Sequence, residues 1–342
     1  MAATLLELSD FSVQYATSRG KVRALDSVNL KIGKEEFVAL VGESGCGKTT
    51  LGLAAIGLLP PRSATIAGGS ISYKGVDLSK LKPGEMQNYR GSEVAMIFQE
   101  PLTSLNPLRR VGEQIAEAIV LRIKKRDPTS KVKGAPRFPG LRWKLSPGLK
   151  SEVEQMLTLV RIPDPEHIVD RYPFELSGGM RQRAMIAMAL SQQPELLVAD
   201  EPTTALDVTT QAQVLKLMKE IKDKLGTTIM LVTHDLAVAS QVADRVVVMY
   251  AGQVVEEADV REVFSNPKHP YTQGLLSCIP TGTRDGKQLT PIKGTIPDLT
   301  VKKDACLFQP RCPYAMEVCS KKPPSLFEVG KDHRAACFLY GK

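Results

Sequence analysis

The feature that most constrains the fold is a glycine-rich run, Gly42–Thr49, which fits the pattern G-x-x-x-x-G-K-[ST]. It follows a short β-rich segment, Phe37–Val41, and opens a helical segment through Leu59 that Pro60 and Pro61 end. Glycines let the backbone wrap a phosphate, and the following helix N-terminus attracts its charge. The sequence therefore predicts an α/β fold in which this phosphate loop joins a buried strand to a helix.

The rest of the chain alternates between strand and helix patterns. Residues 4–15 and 24–32 alternate like edge strands, and a helical insertion is expected between about 100 and 190. Further strands are predicted at Ile71–Tyr73, Val94–Phe98, Leu196–Ala199, Thr228–Thr233 and Val246–Tyr250. This order predicts a mostly parallel sheet covered by helices in residues 1–262. Residues 263–342, rich in Pro, Lys and Cys, are predicted to form a small appended domain, here called the tail.

Composition and charge exclude several classes. The 342 residues are 43% hydrophobic and 24% charged, as in ordinary globular proteins. No apolar stretch approaches the roughly 18 residues that span a bilayer, and the N-terminal residues lack the basic start and long apolar core that are typical of a signal peptide. We therefore expect a cytoplasmic chain that meets a membrane only through a partner or a surface patch.

The net charge of +8 is concentrated in residues 122–150, here called the basic segment. It holds ten of the 45 Lys and Arg residues and one of the 37 acidic residues, so the remainder is close to neutral. This predicts no nucleic-acid-binding surface across the fold. A solvated loop is one interpretation of the segment, and contact with anionic lipid or a membrane subunit is the other.

The phosphate loop assigns chemistry to individual side chains. Lys48 is expected to neutralise the β- and γ-phosphates, and the Thr49 hydroxyl to ligate Mg²⁺. Cys46 is expected to be a small packing residue and not a nucleophile. The residues of this segment predicted to contact the nucleotide are Gly42, Ser44, Gly45, Cys46, Gly47, Lys48, Thr49 and Thr50.

Two acids close a buried strand, Asp200 and Glu201. The strand would aim Asp200 at the metal of the nucleotide. Glu201 could then act as the general base, or orient the water that attacks the γ-phosphate. A solvated strand end is the alternative, but the phosphate loop in the same chain favours a catalytic pair.

Upstream of these acids lies the signature segment, Leu176–Met180, in which Ser177, Gly178 and Gly179 open a helix. Such a helix start is an anion-binding terminus. Because the phosphate loop already serves the chain's own nucleotide, this second site should meet the γ-phosphate bound by another subunit. We therefore expect ATP molecules sandwiched between two subunits.

Taken in order, these motifs resemble those of an ATP-binding cassette (ABC) ATPase from residue 4 to about 262. The motifs that carry the resemblance are Gly42–Thr49, Gln99, Leu176–Gln182, Asp200 with Glu201, Ala205–Asp207 and Thr233–Asp235. The resemblance implies a P-loop NTPase with a RecA-like core, an antiparallel β edge and a helical insertion subdomain.

It also implies roles for four further residues. Gln99 would sense the γ-phosphate and the metal, and His234 would hold the γ-phosphate and the attacking water. Asp207 would lie in the loop that crosses the dimer interface. Tyr15 would stack on adenine, although ordinary packing is the alternative for a tyrosine at a strand end.

The sequences around these motifs resemble those of the ATPase subunits of dipeptide, oligopeptide and nickel importers. They resemble the D-type ATPase subunit of these importers more than its F-type sister. The segments concerned are Phe98–Pro107, Met180–Leu190, Glu201–Val208 and His269–Thr272. The resemblance implies an ATPase that powers peptide import, with an F-type sister or a second copy, two permease subunits and, indirectly, a solute-binding protein. The alternatives are a nickel or oligosaccharide solute, or a soluble ABC ATPase outside transport.

Four cysteines are gathered in the tail: Cys306, Cys312, Cys319 and Cys337. A cytoplasmic chain should not hold them as disulfides, and four thiolates suit Zn²⁺ or an iron–sulfur cluster. The spacings lack the paired C-x2-C of zinc ribbons. Resemblance to D-type subunits favours a [4Fe–4S] cluster, with zinc or unligated cysteines as the alternatives.

Overall fold

The computed structural model describes residues 3–99, 104–134, 143–204, 206–279, 291–301 and 304–341. The chain divides into two compact units. The first comprises Met1–Lys82 and Ile229–Lys342, and the second comprises Pro83–Thr228.

Strands and helices alternate along both units. The strands are β1 (Thr4–Thr17), β2 (Gly20–Gly33), β3 (Phe37–Val41), β4 (Ala64–Tyr73), β5 (Val76–Asp77), β6 (Val94–Ile97), β7 (Leu196–Asp200), β8 (Thr228–Thr233), β9 (Arg245–Tyr250), β10 (Gln253–Asp259), β11 (Phe327–Gly330) and β12 (His333–Ala335). The helices are α1 (Lys48–Ala55), α2 (Pro83–Met86), α3 (Val111–Arg126), α4 (Pro147–Leu159), α5 (Pro165–Ile168), α6 (Gly178–Leu190), α7 (Val208–Leu225), α8 (Leu236–Val242), α9 (Val260–Ser265) and α10 (Pro270–Ser277).

The first unit holds two sheets. One is antiparallel, in the order β2-β1-β4-β5, and its inner side chains, among them Leu6, Leu8 and Phe11, are buried. In the other, β3 pairs in parallel with β8 and β9, and β10, β12 and β11 continue it antiparallel from β9. All five residues of β3 are buried, because a strand flanked on both sides in a covered sheet has no solvent face. This confirms the predicted α/β class and antiparallel edge.

Two expectations need correction in this unit. The helix after the phosphate loop ends at Ala55, not at Leu59, because Gly57 adopts a left-handed φ of 62° that ends the helix before the prolines. The tail also contributes strands that its sequence did not reveal. Glu256 of β10 pairs with Ala335 of β12, so the tail extends the same sheet as the phosphate-loop strand. The proposed domain boundary at 262/263 stays a prediction.

The second unit contains the helical insertion. Its strands β6 and β7 pair in parallel, and α3 packs against α4 and α6. Arg122 of α3 is buried, where its guanidinium donates to the Ser191 carbonyl over 2.9 Å and pairs with Glu152. A buried arginine that satisfies a helix-end carbonyl fixes α3 against the end of α6.

The basic segment is more ordered than a solvated loop over its first residues. Helix α3 runs to Arg126, and Lys125 bonds the Asn88 carbonyl and the Ser92 hydroxyl. Farther along, Trp143 is buried and its backbone N–H donates to Glu113 over 3.0 Å. Residues 135–142 lie outside the described ranges. Contact of the basic segment with lipid or a membrane subunit stays a prediction. Within the ranges described, no helix is long and apolar enough to cross a membrane.

Candidate nucleotide site

The phosphate loop depends on glycine at positions where a side chain would collide with the backbone. Gly42 has a φ of 156°, and a Cβ there would lie 2.2 Å from the Met249 carbonyl oxygen. Gly47 has a φ of 103°, and a Cβ there would lie 2.3 Å from the Ala24 carbonyl oxygen. The loop therefore packs directly on neighbouring backbone, which fixes its shape.

Lys48 begins α1 and points back over the loop. Its ammonium donates to the carbonyls of Gly42, over 2.8 Å, and Glu43, over 3.0 Å, and the side chain is buried. Cys46 is fully buried below it, and burial raises the pKa of its thiol. A buried, protonated thiol fits the expected packing role and not that of a nucleophile.

His234 and Tyr15, which are predicted nucleotide-site residues outside the phosphate loop, lie on separate elements of this unit. His234 is exposed directly after β8, and the next residue, Asp235, caps α8 by accepting the N–H groups of Ala237 and Val238. This cap fixes the turn that carries His234. Tyr15 is half-buried near the end of β1, between Val22 of β2 and Ala64 of β4.

In the second unit the acidic strand end and Gln99 meet. Asp200 is buried at the end of β7, and Glu201 follows with a positive φ of 44°. Gln99 donates to Glu201 over 2.9 Å, and the Thr204 hydroxyl donates to the same carboxylate oxygen over 3.0 Å. Left-handed backbone is uncommon for a glutamate and marks a constrained turn at the end of the strand. The local fold thus holds an ionisable carboxylate in one orientation.

The signature segment opens α6 as predicted. Ser177 caps the helix by accepting the Met180 N–H over 3.3 Å. It lines a cavity of about 500 Å³ together with Gly178, Gly179 and Asp207. Asp207 caps α7 by accepting the Thr210 N–H and hydroxyl, and this N–H lowers the pKa of the carboxyl. The structure therefore brings the predicted dimer loop and the predicted second anion site into one cavity.

Two arginines of this cavity were not singled out from the sequence. Arg161 and Arg183 line it, and Arg183 donates to the Val160 carbonyl over 3.0 Å and to Gln213 over 3.0 Å. Arg161 pairs with Glu220, so Arg183 is the arginine that adds unneutralised positive charge beside the helix N-terminus, which strengthens an anion site. The only sequence signal was the position of Arg183 within the segment that follows the signature.

The tail brings its cysteines near one another. The Cys306 N–H donates to the Cys319 carbonyl over 2.8 Å, and the nearby Cys312 and Cys319 add to the effect of burial in raising the pKa of Cys337. Thiols are donors that suit Zn²⁺ or an iron–sulfur cluster. However, burial raises the pKa of Cys306 to about 11, and it also raises the pKa of Cys312. In addition, the part of the chain that the structure describes contains no group of three or more His, Cys, Asp or Glu side chains arranged to hold a metal ion.

The chain is similar to known proteins over nearly its whole length. Residues 25–204 match the family described as ABC transporter, and residues 255–319 match the oligopeptide/dipeptide transporter C-terminal region. The dipeptide transport ATP-binding protein DppD of Bacillus subtilis is 45% identical, with 98% of this chain and 94% of that protein covered. The oligopeptide transport ATP-binding protein OppD of Salmonella typhimurium is 41% identical over 98% and 94%.

A solved structure supports the same assignment. A dimeric ATP-binding cassette in a post-hydrolysis state, bound to ADP and Pi, superimposes with a TM-score of 0.62. It is 26% identical, and the match covers 75% of this chain and 99% of the other. The chain therefore belongs to the ABC transporter family, as an ATP-hydrolysing subunit that carries the C-terminal region of the oligopeptide and dipeptide transporters.

Proposed function

We propose that this chain hydrolyses ATP to power the import of dipeptides or oligopeptides. The observation that carries the proposal is the cavity at the start of α6, where Ser177, Gly178 and Gly179 lie beside Asp207. This anion site is separate in sequence from the phosphate loop, as an ATP shared between two subunits requires. The names of the relatives, dipeptide and oligopeptide transport proteins, support peptides as the solute.

The site residues would divide the chemistry between them. Lys48 and the loop N–H groups bind the β- and γ-phosphates, and Tyr15 stacks on adenine. Glu201 takes the proton of the attacking water, with His234 holding that water and the γ-phosphate. The motif resemblance assigns Mg²⁺ to Thr49, Gln99 and Asp200. Mg²⁺ would neutralise charge on the phosphate oxygens.

This chemistry requires further protein subunits. A second ATPase subunit, an F-type sister or another copy, supplies the facing half of each ATP site. Hydrolysis removes the bridging γ-phosphate and lets the two subunits separate, as in other nucleotide-held switches. Two permease subunits would translate this motion into transport at the cytoplasmic face of the membrane, and an extracytoplasmic protein would select the solute.

Uptake in cells tests the proposal. A strain that lacks this chain would be complemented with the native form, with Glu201→Gln or with Glu262→Gln, which changes an exposed carboxylate of α9. We expect labelled dipeptide or tripeptide uptake from the native and Glu262→Gln forms only. Restoration of nickel or oligosaccharide uptake, without peptide uptake, would overturn the assignment of the solute.

We propose further that the four tail cysteines hold a [4Fe–4S] cluster. The proximity of these cysteines supports it, because the Cys306 N–H donates to the Cys319 carbonyl over 2.8 Å and both Cys312 and Cys319 lie near enough to Cys337 to act on its thiol. The cluster would crosslink a part of the chain with little apolar core. Iron and acid-labile sulfide in protein purified without oxygen, both lost in Cys312→Ser, are the expected result. Stoichiometric zinc without iron would refute the cluster.

A further inference from the structure

The tail reaches the phosphate loop through one arginine. Arg311 ends a 3₁₀ turn, Gln309–Arg311, immediately before Cys312. Its two terminal nitrogens lie 2.8 Å and 2.9 Å from the two carboxylate oxygens of Glu43, the second residue of the phosphate loop. A paired, two-bond contact between guanidinium and carboxylate fixes direction as well as distance. The Arg311 side chain is only 4% exposed, so solvent screens this contact weakly.

Arg311 is itself held rigidly. Its Nε donates to the Lys293 carbonyl over 3.0 Å, and its guanidinium lies over the rings of Tyr250 and Phe308. Gly294, at a φ of 83°, lets the chain pass close, since a Cβ there would be 3.2 Å from the Arg311 stem. A side chain already fixed by such contacts loses little entropy in binding Glu43.

Tyr271, in helix α10, also contacts Glu43. The Tyr271 hydroxyl accepts the backbone N–H of Glu43 over 2.9 Å. Tyr271 packs edge-on against Phe308 at 5.5 Å between ring centres, and Phe308 lies three residues before Arg311. The Glu43 carbonyl in turn accepts from Lys48 over 3.0 Å. A continuous set of contacts therefore runs from the tail through Glu43 to the lysine of the phosphate loop.

The charge of Glu43 gives this contact its significance. A carboxylate within a loop that binds a polyphosphate repels the ligand unless a cation compensates for it. Arg311 provides that cation at hydrogen-bond distance. We propose that Arg311 is a positioning residue for nucleotide binding, through which the cysteine-bearing tail neutralises Glu43 and holds the phosphate loop in shape. The tail is thereby part of the nucleotide-binding apparatus, whatever solute is transported and whatever the cysteines hold.

The test separates the affinity for ATP from turnover in the full-length chain within its purified transport complex. In Arg311→Gln, the unpaired Glu43 charge should raise the KM and the Kd for ATP about 10-fold, while kcat changes less than about twofold. Arg311→Lys keeps the positive charge but cannot form the two paired bonds to the carboxylate. Its Kd for ATP should therefore lie between that of the native chain and that of Arg311→Gln. Arg334→Gln is the matched control, because Arg334 joins the tail to Glu257 of β10 and does not contact the loop.

Removing the partner charge distinguishes positioning from simple loss of folding. The double variant Glu43→Gln with Arg311→Gln should recover most of the lost affinity, because no carboxylate is left uncompensated beside the phosphates. If Arg311 serves only to stabilise the fold, the double variant should bind ATP no better than Arg311→Gln, because it lacks the same contact between the tail and the loop. The proposal would be overturned by an unchanged KM for ATP in Arg311→Gln. It would also be overturned if the double variant bound ATP as weakly as Arg311→Gln does. Because ATP binding is the readout, either result leaves the peptide assignment untouched.

Discussion

Gln99 donates a hydrogen bond to the Glu201 carboxylate over 2.9 Å, although the two residues are 102 positions apart in the sequence. The Gln99 amide and the Thr204 hydroxyl both donate to the same oxygen of this carboxylate. A carboxylate held in this way is pre-oriented to accept a proton from a water. The arrangement places the candidate base and the candidate sensor of the γ-phosphate in direct contact.

The first prediction removes the base and keeps the contact. Glu201→Gln has the same size and can still accept the bond from Gln99, but it cannot take a proton. We expect kcat for ATP hydrolysis to fall at least about 100-fold, with the Kd for ATP within about threefold of the native value. Phosphate release and nucleotide binding measure the two quantities, and Glu262→Gln, at an exposed carboxylate of α9, is the control. Native turnover in Glu201→Gln would show that another group is the base.

The second prediction concerns the shape of the phosphate loop. In Gly47→Ala the new methyl group would lie 2.3 Å from the Ala24 carbonyl oxygen, at a φ that alanine avoids. We expect a loss of about 2 kcal/mol or more of unfolding free energy and loss of ATP binding. Gly148→Ala is the control, because a Cβ meets nothing within 4 Å there and alanine favours the helix. Equal melting temperatures and equal nucleotide binding for both variants would contradict this reading of the loop.

The strands β3 and β8 of the phosphate-loop sheet could be predicted most accurately from the sequence. Strands β3 and β8 are continuous apolar runs of the length that a buried parallel strand needs, and both were predicted with their observed bounds. The predicted helix α1 was too long at its C-terminal end, because the helix ends at the left-handed turn of Gly57 and not at the prolines that follow. Local pattern therefore identifies the element, and backbone conformation sets its end.

Long-range contacts were beyond sequence reasoning. Arg311 and Glu43 are 268 positions apart, and neither residue belongs to an apolar period or a motif that would pair them. The same holds for the buried contact of Glu256 with His333, which helps to attach β12 to β10. Such pairs depend on the fold of the tail, whose short strands carry too few residues for a periodic signal. The function of the cassette could be predicted from its motifs, while the attachment of the tail required coordinates.

The third prediction separates the cap of α6 from its proposed role in anion binding. Ser177→Ala removes the acceptor for the Met180 N–H and should cost about 1 kcal/mol of unfolding free energy. The variant should still bind ATP through the phosphate loop, yet hydrolyse it at least about 10-fold more slowly, because the facing anion site is weakened.

Asp259→Ala is the matched control for Ser177→Ala. Asp259 caps α9 by accepting the Arg261 N–H over 2.8 Å, so its loss carries a similar cost in stability. We expect its ATPase rate to stay native. If the two variants lose the same stability and the same activity, Ser177 is a helix cap only.

The fourth prediction uses the acid dependence of stability. His269 is fully buried at the start of α10, and burial lowers its pKa from 6.5 to about 3. The folded chain therefore keeps the ring neutral while the unfolded chain takes up a proton below pH 6.5. Stability from this residue is complete above pH 6.5 and is lost as the pH falls towards 3, by about 1 kcal/mol per pH unit.

His269→Asn tests this dependence, because asparagine can still accept the Tyr271 N–H that the imidazole Nδ1 accepts over 3.0 Å. The variant should be less stable at pH 7, but its unfolding free energy should fall less between pH 7 and pH 5 than that of the native chain, by about 2 kcal/mol. Urea unfolding at the two pH values measures the difference. His167→Asn, at an exposed histidine, is the matched substitution to be measured at the same two pH values. Parallel pH profiles for the native chain and His269→Asn would show that the buried ring does not resist protonation.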